Sequence, residues 1–240
     1  RRALREQRRN PRYLPGLALP DSIGVVDDPA GLEGECRLVL LATPCQTTRA
    51  MARWARECLP GLRGVVCAAK GFELGTRQLV HEVVLEECGE SVERAVLSGP
   101  TFAREVAEGR PAAVTLAASS EAFGRELVAR FRAPAFRPYF SPDLTGVAVG
   151  GSVKNVLAIA AGVADGLNLG ANSRAALITR GLAEIARLGV ALGARRETFM
   201  GLSGLGDLVL TCTDDQSRNR RFGLALGHGL GPGDAGSQVG

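Results

Sequence analysis

Apolar and polar positions change their rhythm once along the chain, near residue 144. Before it, short β-branched runs alternate with stretches of helical period. "SIGVV" (22–26), "RLVLLAT" (37–43), "GVVCAAK" (64–70), "RAVLSG" (94–99) and "AAVTLAA" (112–118) predict strands. The stretches 46–58, 76–88 and 102–108 predict helices between them. Strands alternating with helices argue for βαβ units and a largely parallel sheet. "RLVLLAT" and "GVVCAAK" are nearly unbroken apolar runs, as expected of strands covered on both faces. Ligands of open α/β sheets lie beyond the carboxyl ends of the strands. That rule gathers "ATP" (42–44), "AAKG" (68–71) and "LSGPTF" (97–102) along one rim as a candidate cleft.

After about Leu144 the β-branched alternation ends, and residues 152–164 and 172–193 keep a helical period. The expected organisation is an α/β unit over 1–145 and an all-helical unit over 146–240. The segment "GGSVKNVLAIAAGVADG" (150–166) stands out in the second unit, because an apolar helix begins with Lys154 and Asn155 and closes with Asp165. Lys154, Ala158, Ala161 and Asp165 recur at helical spacing and share one face. That stripe is expected to face the rim holding Lys70. The small residues also suit a helix packed closely at a domain interface, and the two readings are compatible.

Composition narrows the function classes. The chain has 240 residues, 45% apolar and 22% charged, as ordinary globular proteins do. Its net charge of +4 is spread out, which argues against a nucleic-acid partner. Six cysteines at irregular spacing, no C-x-x-C and two histidines predict no metal site and a reduced, cytoplasmic location. The longest apolar run, 156–164, is nine residues against the ~20 of a membrane helix. The chain opens without methionine in what reads as mid-helix, so a piece of a longer polypeptide is expected. "GPGDAG" (231–236) matches G-x-G-x-x-G, but no strand precedes it in the Gly-rich tail, and we reject it as a nucleotide loop.

Of the 29 basic residues, 27 are arginine, and the only lysines are Lys70 and Lys154. An ammonium group offers a proton whose pKa burial can lower, which guanidinium does not. Both lysines sit beside candidate site features, so they are candidates for acid–base work. "CTDDQSRNRRFG" (212–223) is the other candidate, with Ser217 capping a helix that carries Arg218 and Asn219. A helix start with added cationic donors suits a phosphate. A capped basic surface helix would read the same way. Asp207 follows a Gly-rich turn in "GLSGLGDLVLTC".

The collinear blocks "NPRYLPG", "AAKGFE", "SGPTFAREVAEGRP", "GGSVKNVLAIAAGVADGLNLGANSRAALITRGLAEI" and "GLSGLGDLVLTCTDDQSRNRRFG" resemble the bacterial NAD(P)-dependent glycerol-3-phosphate dehydrogenases. The resemblance implies a Rossmann-like NAD(P)-binding unit followed by a helical substrate unit. It also implies hydride transfer between NAD(P)H and dihydroxyacetone phosphate, supplying glycerol 3-phosphate for phospholipid synthesis. Lys154 then matches the general acid/base, and Tyr13, Lys70, Ala103 and Arg218 match cofactor contacts. Lys70, Gly99, Thr101, Lys154, Asp207, Ser217, Arg218 and Asn219 match the substrate pocket. No metal and no nucleic acid are implied, and a homodimer is the expected assembly. The family's first strand and its glycine-rich nucleotide turn would lie before residue 1, and further helices would lie after Val239. Removal of that first strand is expected to expose a sheet edge that invites association. Two alternatives stand beside this reading. One is a related two-domain dehydrogenase of the hydroxyacyl-CoA or 6-phosphogluconate type; the other is a binding remnant without catalysis. The Ser217–Arg218–Asn219 cluster favours a small phosphate over a CoA thioester.

Overall fold

The computed structural model describes residues 2–27, 32 and 36–239. A short helix α1 (Arg2–Glu6) leads into a small hairpin of β1 (Arg9–Asn10) and β2 (Leu14–Ala18). The main sheet has five strands in sequential order: β3 (Leu38–Leu41), β4 (Gly64–Cys67), β5 (Glu93–Ser98), β6 (Ala112–Ala118) and β7 (Phe136–Ser141). β3, β4 and β5 are parallel, in the register Val39 to Val65 and Val65 to Arg94. β6 runs antiparallel to β5, and β7 is parallel to β6. The predicted largely parallel sheet is therefore a mixed one. The link between β5 and β6 holds only the five-residue α4 (Ala103–Ala107), short of the helix a parallel crossover uses.

Helices α2 (Thr48–Cys58), α3 (Val80–Cys88) and α5 (Glu121–Phe131) flank the sheet. All four residues of β4 are buried, as its unbroken apolar run requires. Val65 joins the core shared with α3 and the helical half, while Val66 faces Phe123 and Leu127 of α5. Then follow α6 (Leu144–Gly166), α7 (Gly170–Ala191), α8 (Asp207–Thr213), α9 (Arg218–Gly227) and α10 (Pro232–Val239). One apolar cluster joins Val65 and Val96 of the sheet to Val147, Val149, Ile185, Phe199 and Leu208 of the helices. The core thus runs without a break across residues 145 and 146.

Several expectations are corrected. "SIGVV" forms no strand: Ile23 and Val26 are exposed, and among the described residues no strand pairs with them. A β-branched run becomes a strand only where a neighbour and a buried face await it. β7 and α5 were not expected; β7 carries Pro138, which suits its place at the sheet edge. The Gly-rich tail contains α10, and the "GPGDAG" string lies at that helix, after α9 rather than after a strand.

α6 is far longer than the 152–164 its pattern predicted. By length and composition alone it could cross a membrane, but most of it is buried inside the protein. Asp143 caps its start: one carboxylate oxygen accepts from Gly146 N (2.8 Å), the other from Arg195 N (2.9 Å) and Thr198 Oγ1 (2.6 Å). α6 and α9 lie in backbone contact. A Cβ at Gly162 would sit 2.1 Å from Arg220 O, and one at Gly223 would sit 2.0 Å from Ile159 O. Only glycine permits that approach.

Candidate active site

The carboxyl ends of β3, β4 and β5 do form one rim, because those three strands are parallel. Lys70 lies three residues past β4, and Gly99 directly follows β5. Across from them, α6 brings its first half against the end of β5. A Cβ at Gly151 would lie 2.5 Å from Ser98 Oγ and 3.4 Å from the Lys70 side chain. Lys154 is one turn further along α6. A π-helical turn, Leu202–Gly206, runs straight into α8 and sets Asp207 at the start of that helix. Such turns are rare and recur at functional sites.

Asp207 joins the two lysines. Its side chain is only 1% exposed, and each oxygen accepts from a different ammonium group. Lys70 Nζ donates to Oδ2 at 2.6 Å and also to Gly99 O at 3.2 Å. Lys154 Nζ donates to Oδ1 and to Thr211 Oγ1 at 2.9 Å. Thr211 in turn donates to Asp207 O at 2.6 Å, four residues back on α8. Burial disfavours the charged form of Lys154, and the Lys70 cation adds to this, so its pKa falls to about 8 against the attraction of Asp207. An ammonium poised there can give up and regain a proton near neutral pH. Two cations share one carboxylate, which leaves a surplus positive charge to meet an anion.

A second element adjoins this cluster. Ser217 caps α9, accepting from Arg220 N at 3.2 Å. Asn219 Nδ2 donates to Asn155 Oδ1 at 2.9 Å, which ties the first turn of α9 to the residue after Lys154. Arg218 is exposed beside it. Thr101 Oγ1 donates to Gly99 O at 3.2 Å, the same carbonyl that Lys70 reaches. Ala103 is exposed at the start of α4, which packs on β2. Tyr13, in the turn of the β1–β2 hairpin, is exposed under the Arg12 guanidinium, 5.2 Å from the ring centre.

The structure thus gathers Lys70, Gly99, Thr101, Lys154 and Asp207 into one cluster. Ser217 and Asn219 adjoin it through Asn155. Among the described residues, Tyr13 and Ala103 stand outside the hydrogen-bonded cluster, in the hairpin turn and at the start of α4. Asp165 departs from its expected place. It shares a helix face with Lys154, but its carboxylate accepts from Arg174 (2.7 Å) and Arg220 (2.6 Å), not from the rim. Eleven residues of helix separate it from Lys154 by about 16 Å. Asn155 and Thr211 were not singled out as partners. Their only sequence signals are adjacency to Lys154 and the four-residue step from Asp207.

A mixed α/β sheet joined to a helical half, with two lysines sharing one buried carboxylate at the junction, defines a two-part α/β protein with an acid–base site between its halves. Comparison with known proteins narrows the class. Residues 1–124 match the family described as the NAD-dependent glycerol-3-phosphate dehydrogenase N-terminus, and residues 143–239 match its C-terminus. A Desulfovibrio desulfuricans glycerol-3-phosphate dehydrogenase [NAD(P)+] is 55% identical over 95% of this chain and 68% of its own length. That of Stenotrophomonas maltophilia is 48% identical over 99% of this chain and 70% of its own. The crystal structure of the Coxiella burnetii glycerol-3-phosphate dehydrogenase superposes with a TM-score of 0.93 at 44% identity, covering 99% of this chain and 72% of that one. The chain belongs to the NAD(P)-dependent glycerol-3-phosphate dehydrogenase family.

Proposed function

We propose that the chain interconverts dihydroxyacetone phosphate and sn-glycerol 3-phosphate, with Lys154 as the proton donor and acceptor at the C2 oxygen. The observation that carries this reading is the Lys154–Asp207–Lys70 cluster at the meeting of the rim and α6. A bound nicotinamide dinucleotide supplies the hydride. The rim suits a polar cofactor: Thr43 Oγ1, past β3, and Ser98 Oγ, at the end of β5, are buried without a partner in the protein. Arg218, Lys70, Ala103 and Tyr13 would hold it. NADH and NADPH both satisfy this reading.

As the carbonyl carbon accepts hydride, its oxygen becomes an alkoxide. The Lys154 ammonium stabilises that charge and passes its proton to the oxygen, leaving a neutral amine. Asp207 and Thr211 fix the direction of Nζ, so little reorganisation accompanies the step. Lys70, beside Gly99 and Thr101, keeps the substrate oxygens in place. Ser217, Arg218 and Asn219 hold the phosphate at the first turn of α9, where free N–H groups and the helix dipole favour an anion. Residues 1–145 would thereby supply most cofactor contacts and residues 146–240 the proton donor and phosphate site, with Lys70, Gly99 and Thr101 reaching the substrate from the first half and Arg218 the cofactor from the second. A cytoplasmic homodimer is the assembly we expect, and the free cysteines accord with a reducing compartment.

The test is oxidation of NADPH or NADH by dihydroxyacetone phosphate. Lys154→Ala should lower kcat by about 10²-fold or more with protein still folded. A near-normal kcat in that variant would overturn the assignment.

A further inference from the structure

Below the lysine cluster lies a second set of buried charges that proton transfer does not use. The Asp165 carboxylate, near the end of α6, accepts from Arg174 of α7 (2.7 Å) and from Arg220 of α9 (2.6 Å). The Arg220 side chain is 10% exposed, also donates to Asp215, and leaves its Nε without a partner. A buried guanidinium with an unsatisfied donor is costly and is rarely kept for stability alone. Its place suggests what it does. Arg220 is one residue past Asn219 and two past Arg218, and its own backbone N–H receives the Ser217 cap. Its backbone carbonyl lies against Gly162, so at that point no side chain separates α9 from α6. That contact sets the distance between the two helices, and polar links cross it from Asn219 to Asn155 and from Arg220 to Asp165. One Arg220 nitrogen donates to Asp165 across that contact and the other to Asp215 just before α9, so the guanidinium ties the start of α9 to the far end of α6.

We infer that the Arg220–Asp165 pair is a positioning device, which holds the first turn of α9, with Arg218 and Asn219, in register over Lys154 and Asn155. This rests on the reading that Arg218 and Asn219 bind the substrate phosphate. Arg220 touches no substrate; it acts through its neighbours. Lysine cannot replace it, because a point charge does not span two carboxylates as the fork does.

The test is steady-state kinetics of Asp165→Asn, Arg220→Lys, Arg218→Ala and the double variant Arg218→Ala/Arg220→Lys in the enzyme. Asp165→Asn and Arg220→Lys should each raise KM for dihydroxyacetone phosphate about tenfold, with kcat changed less than about threefold and KM for NAD(P)H unmoved. In the Arg218→Ala background, Arg220→Lys should add less than about threefold, because the group it positions is gone. Arg220→Lys keeps the charge, so it still reports if Asp165→Asn fails to fold. A purely structural role would leave KM for the substrate unchanged in the folded variants or multiply fully with Arg218→Ala; either result overturns the positioning role, whereas a lowered Tm is expected of any broken buried pair. An Arg218→Ala variant with unchanged KM overturns the phosphate assignment itself, a separate failure.

Discussion

Lys154 is held by contrary forces. Burial and the Lys70 cation favour its neutral form, whereas Asp207 favours the charged one, and the balance falls at about 8. Reduction of the carbonyl consumes the protonated form, so kcat/KM in that direction should fall as pH rises through about 8. Asp207→Asn removes the one group that sustains the charge, so the falling limb should move to lower pH; a limb that stays in place refutes the coupling. Lys154→Arg separates charge from proton. Guanidinium keeps the cation but does not release a proton in this range, so kcat should drop by about 10²–10⁴-fold, measured by initial rates. The two lysines were legible in the sequence because arginine fills all 27 other basic positions. Asn155 and Thr211 were not, because nothing in their local pattern marks an ordinary helical residue as a hydrogen-bond partner.

The helices carry their own tests. Alanine is a better helix former than glycine by about 1 kcal/mol, so propensity alone says that Gly223→Ala should stabilise α9. The backbone contact says the opposite. A Cβ there would lie 2.0 Å from Ile159 O, an atom with no freedom to rotate away. We expect Gly223→Ala to destabilise by about 2 kcal/mol or more, read from chemical denaturation. Ser217→Ala removes the cap of α9 and should cost about 1 kcal/mol, together with a raised KM for the phosphate substrate. The alternation of strands and helices revealed most of the sheet, because β3, β4 and β6 are largely apolar runs of the right length and β5 carries Ala95–Val96–Leu97 at its centre. It also predicted a strand over 22–26, where the residue preference is present and the pairing is not. It missed β7, whose Pro138 is tolerable only at an edge that the tertiary structure defines.

The two halves behave as one at the scale of the molecule. Val65 and Val96 share a core with Val147, Ile185 and Phe199, and Asp143 ties the start of α6 to the turn after α7. Unfolding should therefore be a single cooperative transition. The lone tryptophan, Trp54 on α2, reports on the sheet half, and far-UV circular dichroism weights the helical half. Their denaturation midpoints should coincide; two separate midpoints would show that the halves unfold independently. Asp143→Ala should lower the common midpoint, because three donors lose their acceptor.

The sequence by itself determined the alternating sheet half, the helical half, the rim and the paired lysines, because each rests on local period or residue type. The family likeness was legible too, carried by blocks that span nearly the whole chain. The tertiary structure alone decided which charge meets which. On one face of α6, Lys154 turns to Asp207 while Asp165 turns to Arg220, and helical spacing is the same for both. The difference lies in what packs opposite: α8 enters through a π-helical turn at one end, and α9 presses on glycine at the other. Those partners come from residues more than fifty positions away, and no local pattern contains them.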